Sequence, residues 1–133
     1  MATNSSDVTA GVNATATQYN NIRKDIVTGR RILVTATDGA TVTFNLDSGN
    51  IQQVTLGGNR TLALSNDNDH QVFIIILIQG GTGSRTVTWW SGIKWQDEVE
   101  PTLDTAAAGV DVFGFIRTGS GAYLGFPMGQ RMA

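Results

Sequence analysis

"HQVFIIILIQGGTGSRTVTWW", residues 70–90, decides how the rest of the chain is read. Seven apolar residues run without a break from Val72 to Ile78. The run is far shorter than the roughly 20 residues a membrane helix needs. It is rich in β-branched side chains and ends at a glycine-rich loop, so it reads as a strand. A strand of a two-layer sandwich normally alternates, because one of its faces meets water. This one does not alternate, so both faces need cover. A chain of 133 residues has little material to cover a sheet twice. The second cover is therefore the chain's own helix or arm, or another subunit.

Working outward, the apolar period is 2 from Arg31 onward. "RILVTAT", "ATVTFNL", "NIQQVTL" and "RTLALS" are short β-branched segments separated by Asp-Gly, Ser-Gly-Asn and Gly-Gly-Asn turns. Thr37–Ala40, with Asp38-Gly39 at its centre, reads as a type I′ hairpin turn. "RTVTWW", "IKW", "VDVFGFIR" and "AYLGF" follow. Eight or so strands at this spacing predict an all-β domain over 31–133, an antiparallel β-sandwich or jelly roll. No internal repeat or heptad is visible.

Residues 1–30 are different. "TNSSDVTAGVNATA" is small, polar and aperiodic, which predicts an extended arm. Tyr19, Ile22 and Ile26 then fall at i, i+3 and i+7, one stripe of a short helix. Thr15 or Thr17 can supply its N-cap, and Gly29 stands where a left-handed C′ residue belongs. Such a helix is marginal alone and needs a surface to lie on.

The formal net charge of −2 leaves no electrostatic footprint for nucleic acid. Charged residues make up only 15% of the chain, against about 25% in an average domain. A surface so poor in charge and rich in Thr, Ser, Asn and Gly suits assembly. Cysteine is absent, which excludes disulfides and thiolate chemistry. The first residues lack the basic and apolar regions of a signal peptide, and no membrane insertion is expected.

Three stretches could carry chemistry, and each has a plainer reading. "QGGTGSRT" lacks the Lys-Ser/Thr ending and the following helix of a phosphate loop, so it reads as a hairpin loop. "NDNDH", residues 66–70, gathers Asp67, Asp69 and the single histidine, but Asn and Asp also dominate ordinary turns. "QDEVEPTLD" groups Asp97, Glu98, Glu100 and Asp104, yet nothing sets two of them across a cleft. No catalytic residue, cofactor or metal site is expected. Strand alternation puts Trp89 with Val87 in the core and leaves Trp90 and Trp95 for a sugar ring or an interface, beside the plainer reading of simple packing. The candidate interface residues are thus Tyr19, Ile22, Ile26, Ile74, Ile76, Trp90 and Trp95.

Taken in order, "DVTAG…TATQYNNIRKDIV", "VTLGGNRTLAL", "QGGTGSRTVTWWSGIKW", "PTLDTAAAGVDVFGFI" and "GAYLG" resemble a β-rich domain of tailed-bacteriophage virion proteins, tail fibres above all. The resemblance implies a non-enzymatic structural protein that forms a homotrimer at the virion surface, after assembly in the host cytoplasm. It implies other virion proteins, of capsid or tail, as partners, with a host-surface glycan as the alternative ligand. No shaft repeat is present, which suits a capsid decoration (cement) protein or a short fibre or tail-tip component. The N-terminal arm is then expected to grip the larger structure.

Overall fold

The computed structural model describes residues 15–18, 20 and 33–132. At the N-terminal end, Ala16, Thr17 and Gln18 are helical. Thr15 caps them as expected: the Gln18 amide donates to Thr15 Oγ1 at 3.1 Å. The Thr15 amide donates to Gln18 Oε1 at 2.8 Å, completing a reciprocal capping box. Tyr19, Ile22 and Ile26 lie outside the described residues.

From residue 33 the protein is built of nine strands: β1 (Leu33–Thr35), β2 (Thr41–Asn45), β3 (Ile51–Leu56), β4 (Arg60–Ser65), β5 (Val72–Gln79), β6 (Val87–Thr88), β7 (Ile93–Trp95), β8 (Val110–Gly119) and β9 (Ala122–Gly129). They form a six-stranded sheet, β1-β3-β5-β8-β9-β7, and a three-stranded sheet, β2-β4-β6. The all-β, two-sheet architecture is the one the period-2 pattern predicts. In β2, Val42 and Phe44 are buried while Thr41, Thr43 and Asn45 are exposed.

Strand direction differs from the antiparallel expectation. Odd-numbered strands β1, β3 and β5 lie in one sheet and β2, β4 and β6 in the other, so the chain winds from sheet to sheet as a coil. Leu33 sits opposite Ile51, and Ile51 opposite Ile74, in parallel register. Thr41 is likewise opposite Thr61, and Arg60 opposite Val87. Only β5–β8 and β8–β9 pair antiparallel. The segment Thr37–Ala40 is therefore no hairpin turn; it is a corner that carries the chain from one sheet into the other.

Polar side chains join the corners of successive coils. Asp38 accepts from Arg60 Nε and Nη2 at 2.8 and 2.9 Å and from the Gly57 amide at 3.2 Å. Asn59 Oδ1 accepts from the Thr86 amide at 2.9 Å. Asn66 Nδ2 donates to Asn45 Oδ1 at 2.8 Å. Two buried glutamines do the same from within. Gln52 Nε2 donates to the carbonyls of Asn45 and Gly49, and the Gln79 amide makes a two-way pair with the backbone of Arg85. Corner carbonyls and amides that would be orphaned are thereby satisfied.

The inner faces of the two sheets enclose the core, with Phe44, Leu62, Phe73, Ile75, Leu77 and Phe115 all essentially inaccessible to solvent. Ile75→Ala is expected to cost about 2–5 kcal/mol, because it leaves a cavity where the surroundings cannot collapse. A urea midpoint within error of the parent would refute that placement.

Candidate functional site

β5 gives the six-stranded sheet two different faces. Phe73, Ile75 and Leu77 point inward and are buried, while Ile74, Ile76 and Ile78 point outward and are half-buried. The register extends the outward row sideways. Ile74 faces Ile51 on β3 and Gly114 on β8; Ile76 faces Gln53 and Val112. Beyond them, β9 contributes Leu124, Phe126 and Met128, and β1 contributes Leu33. None of the outward positions on these five strands is charged. Val72, Met128 and Leu33 are each more than half exposed, at 56%, 54% and 52%. Among the described residues, most of the large exposed apolar side chains lie on this face or beside it.

A glycine shapes the surface. A Cβ on Gly114 would fall 2.8 Å from Phe126 Cε2 and 2.9 Å from Met128 Sδ. The bare position lets both side chains lean over β8, so β9 and β8 form one continuous apolar plane. Of the residues singled out from the sequence, Ile74 and Ile76 belong to this plane. Val112, Leu124, Phe126 and Met128 were missed, although the alternation in "YLGFPMG" carried the signal.

Trp90 and Trp95 lie on the opposite, inner side. The three-stranded sheet leaves the inner surface of β8 and β9 to be roofed by Trp89, Trp90 and Trp95. Trp89 meets Phe113 at 5.0 Å and Trp95 at 5.1 Å between ring centroids. Trp90 meets Phe115 at 4.8 Å, Tyr123 at 5.9 Å and Phe73 at 6.1 Å. Trp95 sits over Gly125, where a Cβ would be 2.9 Å from its Cζ3. Alternation put Trp89 inside and Trp90 outside. Both in fact pack on the core, because β6 ends at Thr88 and strand alternation stops there. Truncating either to alanine is expected to lower monomer stability by about 3–5 kcal/mol. A Trp90→Ala variant as stable as its parent would return Trp90 to the surface.

The other candidate stretches are structural. Asp67 and Asp69 pair with Arg117, at 2.9 Å to Nε and 2.6 Å to Nη1, and Asp67 also accepts from the Tyr123 hydroxyl. His70 has a φ of 63° and donates its amide to the Arg117 carbonyl, as a turn residue. In the acidic stretch, Asp104 is buried, accepts from the Ala106 amide, and donates its own amide to Asp111 Oδ2 at 2.7 Å. Asp97, Glu98 and Glu100 are exposed. Among the described residues, no groove is lined by two exposed carboxylates.

Burial, and then the Asp67 carboxylate, hold the Tyr123 phenol above its ordinary pKa. The fold therefore favours the neutral phenol. Its contribution is complete below about pH 10, the unfolded value, and is lost as pH rises through the higher folded value. Tyr123→Phe is expected to cost about 1 kcal/mol at neutral pH and to remove that alkaline loss. Urea midpoints at pH 7 and above pH 10 check this; an unchanged alkaline loss would assign it to another group.

Compared with known proteins, residues 34–122 match a family model described as "Putative phage tail fibre C-terminal domain". No curated protein and no solved structure matches the chain.

Proposed function

This chain belongs to the phage tail fibre C-terminal domain family, and on that premise we propose that it is a non-enzymatic structural protein of a bacteriophage virion. Its outer sheet face packs against further copies of the same chain. The observation that carries this reading is the largely apolar plane centred on Ile74 and Ile76, uncharged over five strands and bordered by Lys94 on β7. Apolar planes of that extent mark interaction surfaces, and a like plane on a second copy is matched to it in polarity. A closed homotrimer is the form the family resemblance favours. Tyr19, Ile22 and Ile26, on the stripe of the N-terminal segment, are proposed to join the same contacts. Residues 1–30 attach the assembly to capsid or tail. The structural part played by Asp67, Asp69, Asp104 and His70 supports the absence of catalysis.

Neighbouring residues of β5 separate folding from assembly. Ile75→Asp is expected to prevent folding, because an unpaired buried carboxylate costs several kcal/mol. Ile76→Asp is expected to leave a folded protein that cannot associate. Light scattering at micromolar concentration checks the mass. A parent that is wholly monomeric, or an Ile76→Asp variant that still associates, would overturn the reading. Deleting residues 2–14 is expected to leave the denaturation midpoint unchanged while abolishing co-sedimentation with virions.

A second reading, a receptor-binding module for host-surface glycans, is favoured by one observation: a groove beside Trp89 contains charged side chains that make no ion pair among the described residues.

A further inference from the structure

We propose that the groove between β6 and residues 100–105 is a saccharide-binding site, with Trp89 as its platform and Arg85 and Glu100 as its polar arms. This deepens the receptor-binding reading and rests on it. The groove has a volume of about 210 Å³ and is walled by Trp89 and Val87 on one side and Pro101 and Leu103 on the other. That is below the roughly 300–1,000 Å³ of a pocket for a whole drug-sized ligand. It suits one ring of a longer chain.

Its walls are fixed before any ligand arrives. Trp89 is held by T-shaped contacts with Trp95, Trp90 and Phe113, at 5.1, 5.5 and 5.0 Å between ring centroids. The far wall is anchored by Leu103, which packs on the core, and by the Asp104 amide bonded to buried Asp111. The Gln79 side chain pins the Arg85 backbone on both sides, donating to its carbonyl and accepting from its amide at 2.9 Å.

The polar groups, by contrast, are unused. Arg85 Nε is buried and has no hydrogen-bond partner among the described residues. Glu100 faces the same groove, and neither it nor Arg85 makes an ion pair among the described residues. A buried guanidinium nitrogen without a partner costs free energy unless a ligand supplies an acceptor. Thr86 and Thr102 also line the groove. An apolar ring face, donors and an acceptor together fit a pyranose: its C–H face lies on the indole, and its hydroxyls accept from arginine and donate to carboxylate. One positive and one negative arm favour a neutral sugar over an anionic one. The groove lies on the layer of the three-stranded sheet, opposite the apolar plane, so self-association leaves it open.

The test uses the full chain and a panel of neutral oligosaccharides of glucose, galactose, mannose and N-acetylglucosamine, read by tryptophan fluorescence and by NMR titration. Because Trp89 also supports the core, the variants are Arg85→Met and Glu100→Gln, each checked for an unchanged denaturation midpoint. At least one oligosaccharide is expected to bind, and each variant to weaken it tenfold or more. Binding that survives both substitutions overturns this site while leaving the receptor-binding reading in place. An absence of binding across the panel up to millimolar concentration overturns the site, and binding of anionic glycans alone would then keep the broader reading.

Discussion

A six-stranded sheet has two broad faces to keep from water, and the described residues cover one. Three strands and three tryptophans close the inner face. Nothing among the described residues lies over the outer face. Most features of the molecule follow from that shortage. The tryptophans are large because they stand in for strands that the second sheet lacks. Gly114 and Gly125 are bare because bulky neighbours must lie flat across them. The outer plane remains apolar, which for a member of a tail fibre family is consistent with a protein completed by its neighbours.

The coil winding solves a different difficulty. Parallel strands cannot be joined by tight hairpins, so the chain must leave the sheet after each one. Here each departure supplies a strand to the opposite layer, and no helix is needed as a crossover. The cost is a set of exposed corners with unpaired backbone groups. Asp38, Asn45, Asn59, Gln52 and Gln79 meet that need from their side chains. The polar, low-charge composition is in part the chemistry of these corners.

Much of this was legible in the sequence. Period-2 alternation located the strands, and the unbroken run at Val72–Ile78 marked the strand that is apolar on both its faces. Strand direction was not legible, because inward and outward alternation is the same for parallel and antiparallel neighbours. The Asp38-Gly39 pair misled for a related reason. A residue pair that tolerates a hairpin also tolerates a corner, and the deciding partner, Arg60, is far along the chain. Trp90 was misplaced because its strand ends two residues earlier than the apolar pattern suggests. The groove beside Trp89 had no sequence signal at all. Arg85 and Glu100 look like ordinary loop charges until the fold brings both to the lining of one groove.

The lack of charge on the outer plane has a thermal consequence. Attraction between apolar surfaces is mainly entropic near room temperature and weakens on cooling. Attraction between charged surfaces is instead screened by salt. An assembly joined through such a plane would owe little to charge screening and would tighten as it warms.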